Sequence, residues 1–172
     1  MKILVIYKSR TGFTKRYAEW ISEELSCEAK DFRELSKLSL EDIDLLIYGG
    51  RVHAGMLDSV GKIKELAAEK GCKLVLFATG ASPADAYGDI EQMWANNKID
   101  DSVPHFYMQS GLSYEKMGAG DKLMMKMFAS MMKNKKDKTE TESGMAQAIQ
   151  KSYDVSSGEY IMPLVEHVKA ME

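Results

Sequence analysis

The chain has few of the residues that mark several protein classes. Only two cysteines occur among its 172 residues, and Cys27 and Cys72 lie far apart with no CxxC pair. We therefore expect neither a disulfide framework nor a metal site, and we interpret both residues as reduced thiols. Only three prolines occur, and 45% of the residues are apolar. This composition is typical of a globular protein rather than of a disordered or fibrous one.

An excess of positive charge is also absent. The formal net charge is -3, so a general electrostatic attraction to nucleic acid is not expected. No apolar run approaches the ~20 residues of a membrane span, and the opening MKILVIYKSR lacks a signal-peptide cleavage site. We therefore predict a cytoplasmic protein. The length suits one domain, residues 1–172.

Apolar runs alternate with amphipathic segments along the chain. Runs rich in β-branched or aromatic residues predict five strands: Lys2 to Tyr7, Cys27 to Phe32, Asp44 to Gly50, Lys73 to Gly80 and His105 to Gln109. Helical periodicity or capping predicts helices in four segments: Thr14 to Leu25, Asp58 to Lys70, Asp85 to Asn97 and Ser156 to Glu172. Thr14 is the predicted N-cap of the first helix. This alternation predicts right-handed βαβ units and an α/β fold, a three-layer, doubly wound, five-stranded parallel sheet.

The first predicted strand leads into its helix through SRTGFT, Ser9 to Thr14. Ligands of doubly wound sheets bind at the carboxyl ends of the strands, and a helix N-terminus there attracts anions. Three hydroxyl side chains can add donors, while Gly12 permits a positive φ. The glycine-lysine loop of nucleoside triphosphatases and the GxGxxG of dinucleotide folds are both absent. The segment favours a phosphate monoester held by neutral donors, with a simple helix-capping turn as the alternative.

These motifs carry a resemblance to a known family. SRTGFT resembles the phosphate loop of flavodoxins, T/S-x-T-G-x-T, and IYGGRVHAG and FATGASPAD are similar to their second and third flavin loops. The resemblance implies strand order 2-1-3-4-5 and flavin mononucleotide (FMN) as cofactor. It implies phosphate contacts from Ser9, Arg10, Thr11, Gly12, Phe13 and Thr14. It implies ring contacts from Arg51, Val52, His53, Ala54, Gly55, Thr79, Gly80 and Ala81.

Two departures from electron-carrying flavodoxins affect the predicted function. Phe13 stands where flavodoxins often have asparagine, and the two ring loops contain no aromatic residue before Tyr87. Arg51 and His53 are the titratable residues of the second loop, and positive charge there would stabilise reduced, anionic flavin. These features favour an enzyme with an organic substrate, and no catalytic side chain is predicted because the chemistry belongs to the flavin. Two alternatives without a functional role remain: Arg51 extends into solvent, and His53 only forms a hydrogen bond in its loop.

A methionine- and lysine-rich insertion, residues 112–143, follows the fifth predicted strand. Asp121 is the predicted N-cap of a helix whose apolar face contains Leu123, Met124, Met127, Phe128, Met131 and Met132. That face either packs on the domain or adapts to a flat apolar partner. The insertion resembles that of the subfamily that includes menaquinone-dependent protoporphyrinogen dehydrogenases. This resemblance implies an oxidoreductase that passes electrons from an organic donor to a quinone or other acceptor.

Alternative functions remain open from the sequence. A one-electron carrier would use a redox protein partner rather than a small organic substrate. A regulatory domain on the same scaffold would bind no flavin at all, because a fold alone does not determine function. A peripheral membrane contact through Leu123 to Lys138 is a further expectation, since apolar and basic residues alternate there.

Overall fold

The computed structural model describes residues 1–134 and 149–171, and its centre is a parallel sheet. The parallel strands are β1 (Ile3–Lys8), β2 (Glu28–Asp31), β3 (Leu45–His53), β5 (Lys73–Gly80) and β6 (His105–Gln109). A short antiparallel strand, β4 (Met56–Leu57), pairs with the end of β3. The parallel strands lie in the order β2-β1-β3-β5-β6. Without β4 this is the predicted 2-1-3-4-5 order, so the flavodoxin-like fold class is confirmed.

Helices cover both faces of the sheet because successive strand residues point to opposite sides. On one face, Ile6 and Tyr48 pack in a buried cluster with α2 (Val60–Lys70) and α3 (Tyr87–Asn96). On the other face, Val5 and Ile47 pack with α1 (Phe13–Glu24) and the C-terminal helix (Met162–Lys169). All four of these strand side chains have no exposed surface. The predicted three-layer arrangement follows from this alternation.

The prediction of Thr14 as the N-cap of α1 is wrong. Gly12 occupies the cap position with φ 101°, and the helix begins at Phe13. The Thr14 hydroxyl lies 2.7 Å from that of Thr79 in β5, so it joins helix to sheet and caps nothing. The serine cap near the C-terminus is present, since the Ser157 hydroxyl accepts a hydrogen bond from the Glu159 N–H, though the first turn there is 3-10 rather than α.

The third strand is longer than predicted. Its two glycines, Gly49 and Gly50, do not end it, because they are buried inside β3 and the chain continues as a strand to His53. A two-residue turn, Ala54 and Gly55, then reverses the chain into β4, with φ values of 50° and 75°. Positive φ at both positions is typical of a type I′ hairpin turn. The second predicted ring loop is therefore a hairpin.

The insertion leaves and rejoins the domain through a two-stranded sheet. Strand β7 (Gly111–Leu112) pairs with β8 (Tyr153–Asp154), and helix α4 (Ala119–Asn134) lies between them in sequence. Residues 135–148 lie outside the described part, and so do the last residues of the expected membrane contact, Leu123 to Lys138. Within residues 1–134 and 149–171, no helix combines the length and apolar character needed to cross a bilayer.

The predicted apolar face of α4 does not pack as one face. Met132 is buried in a cluster with Leu112 and Ile149, whereas Leu123, Met127 and Met131 are 61%, 66% and 63% exposed. The inward side is rotated and includes Met125 and Ala129, which were not in the predicted set. Asp121 is also not the N-cap, because it is the third residue of the helix, and its carboxylate has other partners described below.

Candidate cofactor site

A cleft of about 360 Å³ lies at the carboxyl ends of β1, β3 and β5. This volume is within the range of small-molecule sites, and the position is the one where doubly wound folds bind ligands. The cleft is lined by eleven of the fourteen predicted contact residues, and Ser9, Arg10 and Gly12 are the exceptions. The fold thus brings the three predicted loops together, and direct contact of each residue with a cofactor stays a prediction.

The three hydroxyls of the first loop have different roles. The Ser9 hydroxyl accepts a hydrogen bond from the Gly12 N–H at 3.1 Å, which holds the turn. The Thr14 and Thr79 hydroxyls are paired with each other and almost fully buried, at 1% and 2% exposure. The Thr11 hydroxyl has no hydrogen-bond partner among residues 1–134 and 149–171, and Thr11 lines the cleft. Of the three, Thr11 is therefore the hydroxyl available to a ligand.

The second loop is held by an ionic network that joins it to α4. Arg51 donates from Nε to Asp58 Oδ2 at 2.9 Å and from Nη1 to Asp121 Oδ2 at 3.1 Å. His53 Nε2 lies 3.2 Å from the other oxygen of Asp121, and Arg10 Nε approaches the same carboxylate at 3.5 Å. Asp121 is thus the common partner of both loops. Sequence reasoning assigned Asp121 only a capping role and missed this one, because no local pattern relates Asp121 to Arg51 and His53.

Two carboxylates therefore balance the positive charge expected beside the ring. Burial of Asp121 tends to raise its pKa, but the charge and hydrogen bond of Arg51, with help from Arg10 and His53, hold that pKa below its usual range. Asp121 is ionised at neutral pH as a result. The guanidiniums of Arg51 in the second loop and Arg10 in the first are therefore paired with the carboxylates of Asp58 and Asp121, and do not present free positive charge.

The third loop is fixed by hydrogen bonds from neighbouring strands. The Gly80 carbonyl accepts from the Ser110 N–H at 2.8 Å and from the Ser110 hydroxyl at 3.0 Å. The Tyr107 hydroxyl donates to the Ser82 carbonyl at 3.0 Å, and burial raises the pKa of Tyr107, which keeps it a neutral donor. The Tyr153 hydroxyl donates to the Ala81 carbonyl at 3.2 Å. The carbonyl groups of residues 80–82 are therefore all held by hydrogen bonds from the protein itself.

Helix α4 and its flanking segments contribute an apolar wall that the sequence did not place at the site. Met117, Met124, Met125 and Phe128 all line the cleft, as do Leu112 and Ile149. Facing them are the third loop and Met93 of α3. The cleft is thus polar beside the N-terminus of α1 and apolar between α4 and the third loop. FMN has the same division, with a phosphate at one end and a flat aromatic ring at the other, so the residues fit this cofactor.

A 2-1-3-4-5 parallel sheet with a glycine turn after its first strand and a partly apolar cleft at the carboxyl ends of its strands is the arrangement of a flavodoxin-type domain. A flavodoxin domain model matches residues 4–141. The flavodoxin-like domain-containing protein BilS of Clostridioides difficile (strain CD3) is 32% identical over 135 residues, covering 74% of this chain and 76% of that protein. The chain belongs to the flavodoxin domain family, and its cofactor is FMN.

Solved structures of flavoproteins are similar at low identity. A flavodoxin, WrbA-like protein from Agrobacterium tumefaciens gives a TM-score of 0.45 at 16% identity, covering 87% of this chain and 95% of that one. A flavoprotein in complex with FMN from Lactobacillus acidophilus NCFM gives a TM-score of 0.44 at 16% identity, covering 63% and 91%. The match to the flavodoxin domain model and the similarity to BilS confirm the predicted flavodoxin-like family with its FMN cofactor, and the protoporphyrinogen-dehydrogenase subfamily stays a prediction.

Proposed function

We propose that this FMN protein is an oxidoreductase that passes electrons from an organic donor to a quinone or other acceptor, of the protoporphyrinogen-dehydrogenase-like type. The observation that carries the proposal is the apolar wall of α4 over the cleft. Met124, Met125 and Phe128 line the space beside the third loop, while neither ring loop supplies an aromatic side chain. A flat apolar substrate can therefore occupy a position that aromatic residues would otherwise fill.

The protein's part in such a reaction is to bind, orient and exclude water. Bound FMN supplies the transfer of electrons or hydride. The methionines are flexible and polarizable, so they adapt to large planar molecules. Arg51 and His53 line the same cleft and can orient a polar group of the substrate, since their own hydrogen bonds to Asp121 already fix their positions.

The experiment is a turnover assay with the FMN-loaded protein under anaerobic conditions. Porphyrinogens and quinols serve as donors, quinones serve as acceptors, and free FMN is the reference. We expect turnover well above that of free FMN, and a selective rise in substrate KM for Phe128→Ala, whose side chain lines the cleft. The matched control is Met127→Ala on the exposed side of the same helix. Turnover no faster than that of free FMN would remove the proposal.

A second candidate is a one-electron carrier that serves a redox protein. The row formed by Leu123, Met127 and Met131 favours it, because three large apolar side chains one turn apart are more than 60% exposed. Under this alternative, Leu123→Gln and Met131→Gln slow electron transfer to a protein acceptor and leave reduction of small dyes unchanged.

Anaerobic reduction separates the carrier from the oxidoreductase. The carrier takes up electrons in two well-separated one-electron steps, and the oxidoreductase takes up both together. Co-sedimentation with anionic lipid vesicles tests the membrane contact of the same row.

A further inference from the structure

Lys116 reaches the phosphate loop from a distant part of the chain. Its ammonium nitrogen lies 3.6 Å from the position that a Cβ atom would occupy on Gly12. Gly12 has φ 101° and precedes α1, so the ammonium lies on the side of the turn where Gly12 has no side chain. Within the described ranges, this ammonium has no hydrogen bond or ion pair with the protein. A cation is thus placed beside the predicted anion site without a protein partner to neutralise it.

The segment that carries Lys116 is anchored rather than loose. The N–H groups of Lys116 and Met117 both donate to the Ser113 carbonyl at 3.1 Å, which forms a turn. The Tyr114 hydroxyl donates to the Ile149 carbonyl, and the Tyr114 N–H donates to the Ser152 hydroxyl at 2.9 Å. These bonds tie the turn to the returning part of the insertion. The position of Lys116 is therefore set by the fold of the insertion.

Two other charged side chains, Glu115 and Arg10, are paired with groups outside the turn. The neighbouring acid, Glu115, accepts a hydrogen bond from the Ser152 hydroxyl at 2.7 Å and is not directed at the loop. Arg10 belongs to the loop, but its Nε faces Asp121 at 3.5 Å and its guanidinium covers Gly118, where a Cβ would lie 2.4 Å from Nη2. Arg10 is thus engaged on α4. The side chain beside Gly12 is therefore that of Lys116 and not that of Arg10.

We propose that Lys116 binds the phosphate of FMN, a role that rests on the assignment of FMN to this cleft. A phosphate monoester carries close to two negative charges at neutral pH, and a lysine ammonium is a compact cation with three donors. Together with the Thr11 hydroxyl and the backbone of the turn, it completes an anion site with one full positive charge. In this arrangement the insertion contacts both parts of the cofactor, the phosphate through Lys116 and the ring through the apolar wall.

The test compares FMN with riboflavin, which has the same ring and no phosphate. Binding of both flavins is measured by fluorescence quenching for the wild type, Lys116→Met and Lys126→Met, at low and high salt. Lys126 is the control because it is exposed on α4, away from the loop. We expect Lys116→Met to weaken FMN binding about tenfold or more, with little change for riboflavin and a smaller salt dependence. Lys126→Met leaves both affinities unchanged, and Lys116→Arg restores much of the loss.

Three outcomes would overturn the role of Lys116. Unchanged FMN binding by Lys116→Met, or an equal loss for both flavins, would show that the lysine does not act on the phosphate, and the assignment of FMN would stand. Equal affinity of the wild type for FMN and riboflavin would also show that Lys116 does not act on the phosphate. A wild type that binds neither flavin would overturn the cofactor assignment and the proposed function along with it.

Discussion

Asp121 Oδ2 lies 3.1 Å from Arg51 Nη1, although the two residues are 70 positions apart in the sequence. The same carboxylate contacts His53, and the Asp121 side chain is only 12% exposed. This contact ties the first turn of α4 to the hairpin after β3, so the insertion and the predicted ring loop form one structure. Met124, Met125 and Phe128, which form the apolar wall of the cleft, belong to the same helix as Asp121.

Asp121→Asn should destabilise the fold. The substitution removes a partly buried carboxylate and leaves Arg51 with Asp58 alone, and hydrogen bonds to charged groups contribute about 1.5–3 kcal/mol each. We expect a loss of about 2 kcal/mol in the free energy of unfolding, measured with urea at pH 7. The control is Glu19→Gln, which breaks an exposed pair with Lys15 and should cost less than about 0.5 kcal/mol. Equal losses in the two variants would contradict this account.

The cost of Asp121→Asn should depend on pH. The folded state lowers the pKa of Asp121 below the unfolded value of about 3.9, so its stabilising contribution is complete above that value. It is lost as pH falls through the lower, folded pKa. The gap in unfolding free energy between wild type and variant should therefore stay constant down to about pH 5 and narrow below about pH 4. Urea denaturation of both proteins at a series of pH values between about 3 and 7 measures this gap.

The charge balance at the hairpin also predicts opposite shifts of the flavin potential. Asp121→Asn leaves a net positive charge at the cleft and should raise the two-electron midpoint potential, while Arg51→Met leaves two carboxylates and should lower it. A Coulomb energy on the order of 1 kcal/mol corresponds to about 20 mV for a two-electron couple, so shifts of tens of millivolts are expected. Spectroelectrochemistry measures them, and shifts of the same sign in both variants would contradict the balance.

The fold could be predicted from the sequence because its signals are local. Continuous β-branched runs such as Lys73 to Gly80 mark buried strands by composition alone, and this strand has the predicted bounds. The contact of Asp121 with Arg51 has no local signal, since it depends on how a helix of the insertion lies across the sheet. The close approach of Gly49 to Phe77 has no local signal either. The missing side chain of Gly49 makes room for a residue of the neighbouring strand, 28 positions later.

Gly49→Ala should be strongly destabilising. A Cβ at Gly49 would lie 1.9 Å from Phe77 Cζ, and both residues are fully or almost fully buried in adjacent strands. Overpacking costs about 1–3 kcal/mol, and we expect the upper end of this range because the Phe77 ring that has to move is fully buried. Chemical denaturation gives the loss. Phe77→Leu in the same chain should recover part of it by making room for the methyl group.

The matched control for Gly49 is Gly61→Ala in α2. A Cβ there meets no atom within 4 Å, and alanine favours the helix over glycine by up to about 1 kcal/mol. We therefore expect this variant to be as stable as the wild type or more stable. If Gly49→Ala were tolerated equally well, the close approach of the two strands would have to be relieved by a shift of β5.

The hydroxyls of Thr14 and Thr11 should separate stability from cofactor binding. Thr14→Val removes the buried 2.7 Å hydrogen bond to Thr79 and leaves that hydroxyl with only a long 3.5 Å contact to the Gly50 carbonyl. A loss of about 1–2 kcal/mol in unfolding free energy is expected, since one buried partner becomes poorly satisfied. Thr11→Val removes no hydrogen bond to the described part of the chain and should leave the free energy of unfolding within about 0.5 kcal/mol of the wild type.

The two threonine variants should behave in the opposite order toward FMN. Thr11 lines the cleft, and its hydroxyl is the one in the loop with no hydrogen-bond partner among residues 1–134 and 149–171, so Thr11→Val should weaken FMN binding several-fold and leave riboflavin binding unchanged. Thr14→Val should weaken FMN and riboflavin equally, and only through the fraction of unfolded protein. Because both substitutions replace a hydroxyl by a methyl group, any difference between them reflects where the hydroxyl lies. A Thr14→Val variant that lost FMN selectively would mean that this hydroxyl leaves Thr79 for the phosphate when the cofactor binds.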